Sequence, residues 1–298
     1  MRRIRLDRPL DLDATVGILQ RGRADPTGRR AADGWWRALR TPDGPATLHV
    51  RRVGPEVLGE AWGPGADWTL DALPALVGEH DDPSGLEPVH DVVAHAVRSA
   101  PGLRIGRTGL VVEALVPAIV EQRVTGQEAF GGYRRLVRDH GEPAPGPGGD
   151  LGLVVAPSVA VWRQLPSWAW LRAGVDAARS DTVMRALAVA SRLEEITRLD
   201  LREAHRRLRT VPGIGVWTAA EVRQRALGDP DAVSFGDYHV AKDVGWAVLG
   251  RELDDHGLAE LLRPYAGHRH RVVRLVLATR GGRPRRGARM APRTHLPR

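Results

Sequence analysis

Residues 208–242 read LRTVPGIGVWTAAEVRQRALGDPDAVSFGDYHVAK, and this stretch decides how the rest of the chain is read. Leu208 closes one helix, Val211-Pro212-Gly213-Ile214-Gly215 makes a tight turn, and a second short helix is expected from about Val216 to Arg225. Gly228-Asp229-Pro230 then forms a loop that leads to Asp237, at the expected start of a third helix. Glycines let a backbone approach a ligand closely and take unusual angles. The first N–H groups of a helix have no intrahelical partner and attract anions. The turn therefore suits a nucleic-acid phosphate. Asp237 reads in two ways, as a catalytic carboxylate or as a helix N-cap ahead of Tyr238.

Composition narrows the classes. The 298 residues are 42% hydrophobic, enough for one large or two medium domains with a sizeable core. No apolar run reaches the ~18–20 residues that cross a bilayer. The start, MRRIRLDRPLDLD, lacks the apolar region of a secretory signal. Cysteine is absent, which excludes disulfides, cysteine nucleophiles, cysteine-ligated zinc and iron–sulfur clusters, and fits a cytoplasmic protein. The net charge is +8, but residues 280–298 hold seven arginines and no acid, leaving about +1 on the rest. The high pI is thus mostly a property of the tail. Lys242 is the single lysine, and Schiff-base chemistry needs an amine.

The chain divides into three. Residues 1–85 read as a mixed, β-rich domain: Arg3–Leu6 alternates like a strand, Asp11 or Asp13 caps a short helix, and two β-like runs flank the turn Thr41-Pro42-Asp43-Gly44-Pro45. The tryptophans of this part are expected to pack in the core and at its edges. His80–Gly85 reads as a linker. Residues 86–280 are helical, with Pro88 at a first helical position and apolar faces over 110–119, 130–137 and 183–190. Residues 281–298 read as a basic, disordered tail. The fold class is α+β. His90/His95 and His268/His270 are poorly spaced for a metal, so no metal site is expected.

The turn, the Trp217-Thr218-Ala219-Ala220 that follows, and an aspartate 22 residues beyond Gly215 together resemble the helix-hairpin-helix DNA glycosylase superfamily. Within it, the chain is most similar to the bacterial 3-methyladenine DNA glycosylase II family. Residues 1–85 look like that family's N-terminal domain. VPAIVEQRVT at 116–125, PGIGVWTA at 212–219 and GDYHV at 236–240 look like its intercalating, hairpin and catalytic segments, and Arg263-Pro264-Tyr265 looks more loosely like its C-terminal segment.

The resemblance implies a role for each matching residue. Asp237 would be the catalytic carboxylate, since a carboxylate stabilises the positive charge that builds on the sugar and can orient or deprotonate water. Gly213, Ile214, Gly215 and Thr218 would contact the DNA backbone, and a monovalent cation can sit on the hairpin carbonyls. No other cofactor is implied. Gln122 and Arg123 would fill the gap left by a flipped base; Arg123 departs from the apolar wedge common there. Trp217, Glu221, Tyr238 and Tyr265 would line the substrate pocket. Lyase members carry a Schiff-base lysine where Trp217 stands, so the resemblance implies a monofunctional enzyme that uses water. Glu221 lies one helical turn beyond Trp217 on the same face, where the family can have an aromatic residue. The expected reaction is release of alkylated purines such as 3-methyladenine; Glu221 and Arg123 keep oxidised or deaminated bases as the alternative. The expected partner is damaged double-stranded DNA, bound by a monomer at the cytoplasmic nucleoid. A non-catalytic helix-hairpin-helix DNA-binding protein is the alternative from another class.

Overall fold

The computed structural model describes residues 1–284. The segment 285–298, most of the expected tail, lies outside the described residues. The N-terminal part forms β1 (Arg2–Arg5), α1 (Leu12–Val16), β2 (Gly28–Ala31), β3 (Gly34–Thr41), β4 (Gly44–Val53), β5 (Glu56–Trp62) and α2 (Ala66–Leu76). The strands make one antiparallel sheet in the order β1-β5-β4-β3-β2. The expected hairpin is β3–β4, with Trp35 opposite Val50 and Leu39 opposite Ala46.

Alternation sends successive side chains to opposite faces of a strand, and here both faces are covered. Trp35, Leu39, Leu48, Val50 and Val57 pack with Leu73 of α2 on one side. Trp36 and Ala38 pack on the other against Ala144, Leu153 and Val155. Trp36 also stacks on His49, with ring centroids 4.0 Å apart.

The helical part contains α3 (Asp91–Ser99), α4 (Val111–Val120), α5 (Gly126–His140), β6 (Glu142–Pro143), α6 (Pro147–Asp150), β7 (Val154–Val155), α7 (Val159–Gln164) and α8 (Ser167–Arg172). It continues through α9 (Ala177–Ala188), α10 (Ala190–Glu194), α11 (Leu201–Arg209), α12 (Val216–Val222), α13 (Val240–Leu249), α14 (Asp255–Leu262) and α15 (Arg269–Arg280). Side-chain caps fix many starts: Ser158, Asp176, Asp200 and Asp254 each accept a backbone N–H, and Thr125 with Glu128 forms a capping box.

These helices build two cores. The larger surrounds α4, which is buried from Ala114 to Val120 and meets α5, α9 and α12. Truncating Leu115 or Ile119 there would cost about 2–5 kcal/mol. The smaller core joins α3 to α13, α14 and α15, through Val93, Val244, Leu258, Tyr265 and Val272. Within the helical part the chain order therefore crosses over, because α3, its first helix, packs with its last helices.

Two local expectations change. The first helix of this part begins at Asp91 rather than Pro88, because His90 is extended and its N–H and Nδ1 both meet the Tyr265 hydroxyl, at 3.0 and 2.6 Å. The stretch His80–Gly85 is no free linker. Asp81 is buried and pairs with the equally buried Arg271 of α15 at 2.6 Å, so the connection is clamped to the far end of the chain.

Candidate active site

The hairpin is rigid on its inner side and open on its outer side. Leu208, Val211 and Ile214 anchor the turn in the larger core. Gly213 has φ +97°, and a Cβ there would lie 2.3 Å from the Thr182 hydroxyl of α9, so only glycine fits. Arg185 donates to the Pro212 carbonyl at 3.1 Å. Gly215 opens α12 with nothing within 4 Å of where a Cβ would stand. The first-turn N–H groups of α12 have no partner within the helix.

Ile214 and Thr218 differ from their expected role as DNA contacts. The Ile214 side chain is buried and its N–H donates to Val211, because a turn this tight needs its own hydrogen bond. Thr218 is buried and its hydroxyl accepts from Gln122 at 2.8 Å. Gln122 also donates to the Gly213 carbonyl at 3.0 Å, so its amide braces the hairpin instead of standing free. Its neighbour Arg123 is exposed and has φ +55°, the one positive φ outside glycine among the described residues. The left-handed backbone costs roughly 1–2 kcal/mol, and such strain collects where a side chain must be held in a particular direction.

Across the seam between the two helical cores lies Asp237. Its Oδ1 accepts from the backbone N–H of His239 (2.7 Å) and Val240 (3.1 Å), and its Oδ2 accepts from Trp217 Nε1 at 3.3 Å. Asp237 is thus not the N-cap expected ahead of Tyr238, since α13 begins at Val240 with His239 as its N-cap, but its side chain braces the approach to that helix. Oδ1 holds the start of α13, while Oδ2 keeps one lone pair unused. The carboxylate is half-buried, and so is Trp217. Gly236 turns the chain here with φ +89°, its N–H tied to Asp255 at 2.8 Å.

The other expected pocket residues are dispersed. Tyr238 is 68% exposed and carries the Lys242 ammonium 3.7 Å above its ring. Arg283, from the expected tail, pairs with Asp243 at 3.2 Å and lies 5.8 Å from the same ring, so order extends past residue 280. Tyr265 is buried in the smaller core with its hydroxyl on His90; none of its contacts reaches Trp217 or Asp237, which corrects its placement in the pocket.

Glu221 is 8% exposed, and its charge is matched. It accepts from Arg225 at 2.7 Å and from the Ser234 hydroxyl at 2.6 Å, and Arg21 stands 3.9 Å away. Burial pushes its pKa up, but Arg225, Arg21 and Ser234 together hold it below the usual carboxylate range. The pocket-lining reading of Glu221 gives way to an internal ion cluster. Its members Arg21, Glu121, Gln224, Arg225 and Ser234 escape sequence reasoning. Ser234, three residues before Asp237, is the nearest to a legible signal.

Comparison with known proteins fits this geometry. No protein-family model matches the chain. Over 194 residues it is 35% identical to a probable bifunctional transcriptional activator/DNA repair enzyme AlkA of Mycobacterium tuberculosis. That match covers 63% of this chain and 37% of the relative, so the chain spans little more than a third of that protein's length. In fold it is similar to a 3-methyladenine DNA-glycosylase from Archaeoglobus fulgidus, with TM-score 0.72, 18% identity and coverage of 93% and 98% of the two chains. It is also similar to the 8-oxoguanine glycosylase/lyase of Clostridium acetobutylicum, with TM-score 0.69, 13% identity and coverage of 92% and 94%. Among the described residues no helix is long and apolar enough to cross a membrane, and no group of three or more His, Asp or Glu stands ready to hold a metal.

Proposed function

We propose that this chain is a helix-hairpin-helix DNA glycosylase and that it hydrolyses the N-glycosidic bond of a damaged base flipped out of duplex DNA. The observation that carries this is the Trp217–Asp237 pair, an aromatic face and a carboxylate joined at 3.3 Å across the seam of two cores. A flipped base stacks on the Trp217 ring, and its sugar lies over the free lone pair of Asp237 Oδ2. As the C1′–N bond breaks, its electrons leave with the base. Asp237 stabilises the positive sugar, and water bonds to C1′ while its proton passes to the carboxylate.

The open start of α12 takes a backbone phosphate, and Arg123 enters the gap in the duplex. A monovalent cation fits the hairpin, where the Val211, Pro212 and Gly213 carbonyls each accept one hydrogen bond and keep a second lone pair. The enzyme releases the base without cutting the strand, because Trp217 occupies the amine position and Lys242 is engaged with Tyr238. It works as a monomer on the cytoplasmic nucleoid.

The substrate class we favour is alkylated purines such as 3-methyladenine, whose electron-poor ring stacks well on an indole. One observation favours a second reading, neutral oxidised or deaminated bases. Glu221, held by Arg225 and Ser234, offers no free charge to a cationic base. The test is incubation with duplexes bearing 3-methyladenine, 7-methylguanine, hypoxanthine or 8-oxoguanine, followed by alkali. Release of one base, abolished in Asp237→Asn, supports the enzyme. Normal DNA binding with no release leaves a non-catalytic DNA-binding protein. Strand cleavage without alkali contradicts the water mechanism.

A further inference from the structure

One loop of the N-terminal domain grips both devices that meet the DNA. Arg21 is buried, and its Nη1 contacts both oxygens of Glu121, at 2.9 and 2.7 Å. Glu121 immediately precedes Gln122 and Arg123 at the end of α4. The same Nη1 lies 3.9 Å from Glu221, one turn beyond Trp217 on α12. The next residue, Gly22, has φ +78° and sits so close to Phe130 of α5 that a Cβ would fall 2.9 Å from its ring. The 121–125 segment therefore has both its stems, α4 and α5, held by two consecutive residues of a different domain.

The loop is itself stiff. Asp25 accepts from the Arg21 N–H at 2.7 Å, from the Thr27 N–H at 2.8 Å and from the Thr27 hydroxyl at 2.8 Å. Arg225, which holds Glu221, also reaches the loop's start, donating to the Ile18 carbonyl at 3.3 Å. A left-handed Arg123 on a short loop keeps its direction only if both stems keep theirs. A shift of about 1 Å at such a point can cost on the order of a hundredfold in rate.

We infer that Arg21 is a positioning residue through which the N-terminal domain sets the direction of the Arg123 segment relative to the Trp217 helix. This rests on the glycosylase reading, in which Arg123 fills the duplex. Loss of Arg21 should therefore harm the opening of paired DNA more than it harms bond breaking.

A matched control exists. Arg37 of β3 pairs with Glu113 of α4 at 3.0 Å and is as buried as the Arg21–Glu121 pair, but it braces the opposite end of α4. The experiment compares single-turnover release of one lesion from a duplex and from the same strand unpaired. Arg21→Gln should lower the duplex rate about tenfold or more, change the single-strand rate less than about threefold, and be partly rescued in Arg21→Lys. Arg37→Gln, at a similar loss of Tm, should leave the ratio of the two rates unchanged. Equal ratios in Arg21→Gln and Arg37→Gln overturn the inference. Should Arg21→Gln fail to fold, Arg21→Lys alone carries the comparison, with an intermediate ratio expected and a wild-type ratio overturning it.

If the wild type releases no base, the glycosylase reading fails and the inference is judged by binding alone. Wild-type protein should then prefer a duplex carrying a tetrahydrofuran abasic analogue to the intact duplex. That preference should fall at least about fivefold in Arg21→Gln and hold in Arg37→Gln. No preference in the wild type, or no change in the variant, overturns it.

Discussion

Two carboxylates flank Trp217, and they live in different worlds. Asp237 is half-buried, takes two backbone N–H groups on one oxygen, and on the other accepts an indole N–H and keeps one lone pair free. Glu221 is enclosed, with Arg225, Arg21 and Ser234 around it. Backbone dipoles hold a carboxylate in place without cancelling its charge, whereas guanidinium partners hold it and neutralise it. The difference teaches how one tryptophan can have beside it an acid on α12 that serves as structure and another, in the loop before α13, whose charge no cation answers. An acid answered by cations has little field left for a developing sugar cation.

The contrast breaks most visibly at Asp237. Asp237→Asn keeps the hydrogen-bond acceptor for the α13 start, so Tm should move little while single-turnover base release falls about 100–1,000-fold. A comparable loss of Tm would place Asp237 with Glu221 as structure. The reverse pattern is expected of Glu221→Gln. It leaves two buried arginines undercompensated, so urea denaturation should show a loss of about 3 kcal/mol, with the rate per folded molecule changing far less.

The pH dependence sharpens the same contrast. The folded pKa of Glu221 is below its ordinary value, with burial working against it and Arg225 and Arg21 prevailing. Its contribution is therefore present above the unfolded value of about 4.5 and lost as pH falls through the folded pKa. Thermal melts of the wild type below pH ~4.5 should drop more steeply than those of Glu221→Gln.

His270 gives a smaller effect in a different window. It is buried, and burial with Arg274, Arg225 and Arg271 drives its pKa well below 6.5. The unfolded chain binds the proton first, so stability attributable to His270 is complete above about pH 6.5 and declines below it. His270→Gln should flatten the melting curve between pH 5 and 6.5, by on the order of 1 kcal/mol at its lower end. The smallest effect is expected of Ser234→Ala, about 1 kcal/mol, from one hydrogen bond to Glu221 removed.

What the sequence disclosed follows from how far apart the interacting residues lie. The hairpin, Trp217 and Asp237 fall within one short stretch whose glycines, helix start and acid are local features. The β3–β4 hairpin was equally open, because alternation and a Pro-Asp-Gly turn lie next to each other. Glu221 could not be read, since its fate depends on Arg21 from the other end of the chain and on Ser234 across a loop. Tyr265 was misplaced for the same reason: only the fold reveals that His90 claims its hydroxyl. Asp81 looked like linker composition until Arg271 was found against it.

The crossover of α3 has a consequence in time. On a ribosome, α3 emerges roughly 170 residues before α15, which covers much of its apolar face. At about 5–20 residues per second, that interval lasts on the order of 10–30 s. Throughout it Val93 and Ala96 lack their final neighbours, while the sheet can already close and the α4 core follows once α12 has emerged. Synthesis therefore leaves the face of the molecule that supports Asp237 to be assembled last.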